Sequence, residues 1–301
     1  MSNKGFELRF DYQVFKNKDW TVSVNANISR NINKVEEIPD TWVQESYSFG
    51  NGKYAQRVVE GSPVGSFYGY RYLGVYQNTD ETYARDANGN VMYDYNGKAI
   101  TMRNGNTLTF PGDAKYEDIN HDGVINENDI VYLGNSNPKL IGGGGFQVRW
   151  KQLTLTTFFY GRYGQKVINS ARMNLESMYG TGNQSTAVLH RWRAEGDQTD
   201  IPRALYGMGY NYLGSDRFVE DASFIRLKTL SLSYNFPKKW LKKWGITKLN
   251  AFITGYDLFT WTKYKGQDPE VKLPSASTAL VMDGATTPVS KRFAFGINLD
   301  F

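Results

Sequence analysis

The stretch "GFELRFDYQVF", residues 5–15, sets Phe6, Leu8, Phe10, Tyr12 and Val14 in unbroken alternation with Glu7, Arg9, Asp11 and Gln13. Successive side chains of an extended chain point to opposite faces, so a period of two describes a strand with one apolar and one polar face, and no helix keeps such a set on one side. After the polar turn Lys16 to Asp19, "WTVSVNANIS" repeats the pattern through Trp20, Val22, Val24, Ala26 and Ile28. The two segments read as an antiparallel hairpin.

The same signal returns at Tyr54 to Glu60, Ser66 to Gln77, Gly144 to Trp150, Leu153 to Tyr160, Ser223 to Phe236, Leu249 to Trp261 and Arg292 to Phe301, which with the hairpin makes nine segments. Several have about the ten residues a tilted strand needs to cross a bilayer. Their connections alternate: short at 16–19, 61–65, 151–152 and 237–248, long at 30–53, 78–143, 161–222 and 262–291. Short turns on one side and long loops on the other are the signature of an outer-membrane barrel. Trp20, Trp150, Tyr160, Trp240, Trp244, Trp261 and Tyr264 lie near segment ends, where interfacial girdles belong. A soluble β-sandwich alternates in the same way. Loops as long as 78–143 and 161–222 are uncommon in a compact sandwich and favour the barrel.

Composition narrows the functional classes. The chain has no run of about 18 apolar residues for a membrane helix, and its 30 Gly among many Asn, Asp and Thr favour strands and turns. Without cysteine there is no disulfide, thiolate metal site or Cys nucleophile. The net charge of +5 is not gathered into a tract that would bind nucleic acid. The N-terminus does not read as a signal peptide, which leaves a cytosolic protein or a mature or partial chain. His121 and His190 are the only histidines, far apart and without a nucleophile elbow or zinc spacing, and no catalytic constellation is visible, so an enzyme is not expected. The glycines at 142–145 lack the helix and Lys-Ser/Thr of a phosphate cradle and read as a flexible strand entry. "KKWLKKWG", residues 238–245, reads as a short turn with tryptophans at the interface.

Four stretches carry a family resemblance: "VEGSPVGSFYGYRYLGVYQ" (59–77), "PGDAKYEDINHDGVINENDIVYLGNSNPKLIGG" (111–143), "SFIRLKTLSLSYNFP" (223–237) and "YDLFTWTKYKGQDPE" (256–270). In this order they resemble the C-terminal part of the SusC/RagA family of TonB-linked outer-membrane transporters. The resemblance implies an all-β, antiparallel transmembrane barrel segment, with residues 1–301 supplying about eight or nine strands of a cylinder of about 22 and residues 111–135 inserted on the extracellular side. A final strand ending in Phe301 is similar to the signal that outer-membrane proteins present to their assembly machinery. The resemblance further implies nutrient uptake in the outer membrane, glycan or peptide cargo, a SusD-like surface lipoprotein as lid, surrounding outer-membrane lipid, and coupling to TonB through an N-terminal part that these residues do not match. The alternative is a soluble calcium-stabilised β-sandwich that binds carbohydrate.

Within the second stretch, "DINHDGVINEND" has the spacing of a calcium loop. Asp118, Asn120 and Asp122 offer hard oxygens at positions one, three and five, the Val124 carbonyl follows, Gly123 permits the turn, and Asn126 and Asp129 close the set. Asp129 stands where an EF-hand has Glu, and neither flank reads as a helix, so a loop pinned by calcium fits better than a sensor. The competing reading is an Asx-rich turn that satisfies its own backbone. Trp192, Tyr206, Tyr210 and Tyr212, all in the 161–222 connection, are the candidates for stacking on cargo, against the ordinary use of aromatics to pack loops.

Overall fold

The structure is a computed structural model that describes residues 1–40, 47–271 and 280–301; parts of the expected connections 30–53 and 262–291 lie outside the described residues. One antiparallel sheet of seven strands dominates it: β1 (Ser2–Lys16), β2 (Trp20–Lys34), β3 (Leu140–Trp150), β4 (Leu153–Tyr163), β5 (Phe224–Asn235), β6 (Lys248–Thr262) and β7 (Arg292–Asp300). Each strand pairs with the next in the chain, so the sheet is an up-and-down meander. No helix among the described residues is long and apolar enough to cross a membrane.

Register turns the alternation of each strand into two faces of one wall. Leu8 pairs with Ile28, Phe10 with Ala26 and Tyr12 with Val24; Val24 then meets Phe146, and Val22 meets Val148. The same face continues through Leu155 and Leu232, Leu232 and Ile253, and Ile253 and Phe295. Most of these large apolar side chains are exposed, Phe295 at 77%. The opposite rows, such as Arg9 with Asn27 and Asp11 with Asn25, or Ser231 with Thr254, are polar. Val14 leaves the expected row: a bulge between Gln13 and Phe15 brings Phe15, not Val14, opposite Val22. Trp20 and Trp150 stack at the short-turn end, with ring centroids 5.8 Å apart, and Phe259 and Trp261 stack at 6.1 Å towards the other end. Apolar side chains in the middle and aromatic rings at both ends are what a bilayer and its interfaces select.

Turns 17–19, 151–152 and 236–247 lie at one end of the sheet, and connections 35–139, 164–223 and 263–291 at the other. The third of these turns, 236–247, includes "KKWLKKWG", which forms a helical turn Lys238–Leu241 and a 3-10 turn Lys242–Trp244, closed by left-handed Gly245. Two of the nine expected segments do not join the wall. Tyr54 to Glu60 contributes only an isolated bridge at Ala55, while Ser66–Gly69 pairs with Val131–Asn135 and Tyr72–Val75 with Ala114–Tyr116. The reason is that aromatic residues occupy both faces of "SFYGY": Phe67 enters one apolar cluster, Tyr68 and Tyr70 another. A strand greasy on both sides suits a packed layer, not a wall between lipid and water. Because two segments drop out together, the remaining connections keep the ends that alternation assigned to them, whereas 61–65, expected as a short turn opposite the long loops, lies within the long connection 35–139.

Candidate functional site

The buried apolar residues gather in the long connections rather than on the sheet. One cluster holds Tyr70, Tyr76, Met102, Tyr116, Ile125 and Leu213, and the other Phe67, Leu133, Ile168, Met173, Phe218 and Val281. The connections therefore have cores of their own, which lets them hold a fixed surface at one mouth of the wall.

Ion pairs then lock the connections to one another and to the polar face. Arg203 forms two parallel bonds to Asp113, at 2.7 and 3.1 Å, and joins 164–223 to 35–139. Arg217 bonds Glu176 at 3.0 Å with both side chains almost fully buried, and Arg172 bridges Glu176 and Glu220 at 2.8 and 3.0 Å. On the wall, Arg226 donates to Glu270 and Asp268, and its Nε to Thr260 Oγ1 at 2.8 Å. Lys228 reaches Glu270 at 2.9 Å and Asp257 at 3.2 Å. Buried charges without partners are costly, so these partners come as sets. Sequence reading missed all of them: "SFIRLKTL" and "GQDPE" were legible only as parts of a resemblance, and the wall cations meet partners far along the chain, Arg226 with Glu270 forty-four residues on.

Beside this network lies a cavity of about 610 Å³ among the connections, with Arg172, Glu176, Asp200, Lys265, Gln267 and Asp283 on its walls. Its size falls in the usual range for small-molecule sites, roughly 300–1,000 Å³. Charges of both signs line it beside Leu175 and Ile201, so it offers complementary contacts to a polar ligand that also carries apolar surface.

The Asp118–Asp129 loop is a chain of side-chain-to-backbone bonds. Asp118 accepts from Gly123 N at 2.8 Å, Asp122 from Val124 N at 2.8 Å, and Asp129 from both Ile119 N and Asn126 N at 2.8 Å. Asn120 donates to Asp122, and Asn126 bonds the Val124 carbonyl. Burial pushes the Asp129 carboxyl above the usual range, and the nearby Asp118 and Asp122 add to the effect. No Lys or Arg pairs with these three among the described residues. Likewise, no group of three His, Cys, Asp or Glu among the described residues is disposed to hold a metal. The donor types fit calcium; the geometry present is a self-satisfied turn.

The four candidate aromatics are not brought together. Trp192 lies against Gly112, where a Cβ would come within 2.2 Å of its ring. Tyr210 packs on the first cluster, edge-on to Phe49 at 4.9 Å, and Tyr212 on the second, edge-on to Tyr179 at 5.6 Å. Tyr206 alone is open, at 70% exposure.

A one-face-apolar meander with cored loops at one end is the wall of a membrane β-barrel, in part. No family model matches the chain. It is similar over its whole length to TonB-dependent receptor P3 of Formosa agariphila, at 29% identity, and over 90% of its length to TonB-dependent receptor P26 of the same organism, at 30%. TonB-dependent receptor SusC of Bacteroides thetaiotaomicron is 24% identical over the whole chain. The chain spans 26–29% of the length of these three curated relatives. Among solved structures, the RagAB peptide transporter matches with a TM-score of 0.70 at 23% identity, covering 99% of this chain and 29% of that one. The chain is thus related to TonB-dependent receptors of the SusC/RagA kind, and its fold is that of a segment of their barrel.

Proposed function

We propose that these residues form the C-terminal wall of an outer-membrane importer that takes up glycans or peptides with energy from TonB and a SusD-like lipoprotein over its mouth. The observation that carries this reading is the division of the molecule: an apolar face left open across seven strands, and packed cores confined to the connections at one end. Such a division suits a wall between lipid and a wet lumen, capped by a shaped extracellular surface. The cavity beside Arg172 and Lys265 is the cargo contact, with Tyr206 exposed on the same connection. Cells that depend on the full-length protein for growth on oligosaccharide or oligopeptide provide the test. Reversing Lys265 to Glu should raise the cargo concentration needed for half-maximal uptake while surface labelling stays constant; unchanged uptake would contradict this role.

We infer also that the Asp118–Asp129 loop takes calcium on the extracellular side. The reading is supported by the spacing of the donors and by Asp118 and Asp122 lying near enough to Asp129 to raise its carboxyl, with no basic partner for the three among the described residues, and a site of the weak, extracellular kind, about 10⁻⁴–10⁻³ M, would suffice.

A further inference from the structure

The glycine run at 142–145 lies inside β3 rather than at its entry, hydrogen-bonded to β2 and β4. Gly142 and Gly144 belong to the apolar face. Across the sheet, one row reads Ile28, Gly142, Gly161, Ile225, Trp261, so two glycines sit side by side between large side chains. Phe159 opposes Gly144 below this row, and Leu140 and Tyr163 close it towards the long connections. Close strand approach keeps the notch bare: a Cβ on Gly142 would stand 2.9 Å from the Asn27 carbonyl oxygen, and one on Gly161 would stand 2.7 Å from that of Phe224. The result is a cavity of about 800 Å³ at the loop end of the wall. Lys263 is on its lip, exposed and without a carboxylate partner among the described residues, while the neighbouring Asp221 accepts both the N–H and the hydroxyl of Ser223.

We propose that this notch seats one acyl chain of a membrane lipid with a net-anionic phosphate headgroup, which pairs with Lys263. The floor and walls are apolar, as a chain requires, and the ammonium stands where the sheet gives way to the connections, the depth of a headgroup. Ordinary annular lipid meets a convex surface of side chains; here the absence of two adjacent side chains makes a seat. The inference rests on the apolar face meeting lipid.

The full-length protein, purified in detergent, is titrated with phosphatidic acid and, separately, with phosphatidylcholine of the same chains, and retained lipid is counted by native mass spectrometry. The wild type should hold one phosphatidic acid with about fivefold preference, the discrimination that one lysine near a membrane surface supplies. Ile225→Trp, which fills the notch while leaving both glycines unsubstituted, should abolish that adduct, and Lys263→Gln should level the preference. Wild-type retention in Ile225→Trp, or equal binding of the two lipids by the wild type, overturns the seat. Failure of the wild type to retain any lipid would count against the lipid-facing wall itself.

Discussion

Arg226 Nη1 lies 2.8 Å from Glu270 Oε2, so a side chain of the barrel wall, 3% exposed, holds the start of the connection between β6 and β7 against the polar face. Glu270 also meets Lys228 at 2.9 Å and Arg162 at 3.9 Å, which makes it the point where three cations from two strands converge. Removing one member of a buried pair leaves a charge unsatisfied, at about 3–5 kcal/mol. Arg226→Met should therefore expose 263–271 to protease under conditions where the wild type resists. Arg226→Lys, which keeps charge but cannot reach Asp268, Glu270 and Thr260 together, should fall between. A wild-type cleavage pattern in Arg226→Met would remove the tie from this account.

The same tie has a pH window. Burial works to raise the Asp268 carboxyl, but the amides of Glu270 and Val289 and the Arg226 guanidinium outweigh it and hold it below the usual range. A depressed carboxyl adds stability that is present above its unfolded value, about 3.9, and is lost as pH falls through the folded one. Protease resistance of 263–271 should persist from neutral pH to below about pH 4 and then fail. Failure nearer pH 6 would point to another group.

If the 118–129 loop takes calcium as proposed, protons and calcium compete for Asp129, whose carboxyl burial raises. Calcium should leave as pH falls through that raised value, earlier than from a set of exposed carboxylates. Asp118→Ala combined with Asp122→Ala should abolish calcium binding and make 78–143 more sensitive to protease, with the sheet intact. Cleavage that is the same with and without chelator would leave only an Asx-rich turn.

Much of this architecture was legible as alternation. The hairpin β1–β2 and the strands β3 to β7 all announce themselves by a period of two, because each separates an apolar medium from a wet one. Ser66–Gly69 escaped that logic, since both of its faces are buried in loop cores and its periodicity mimics a membrane strand. The site was less legible. The acidic loop is local in sequence and was visible as a motif, whereas Arg203 with Asp113, or Arg226 with Glu270, depends on approach of distant segments that no spacing encodes. Tyr210 and Tyr212 illustrate the converse: neighbours in sequence, they pack into different clusters.

The central claim is that the even-numbered face of β1 meets lipid and the odd-numbered face meets the lumen, and single cysteines at Leu8, Arg9, Phe10 and Asp11 test it most directly. Each carries a fluorophore in the full-length protein in bilayers, quenched in turn by brominated acyl chains and by a water-soluble quencher. The account predicts lipid quenching at positions 8 and 10 and aqueous quenching at 9 and 11, since charge on the lipid face would cost about 2–4 kcal/mol at the midplane. Equal quenching of Arg9 and Phe10 positions by both agents would contradict it.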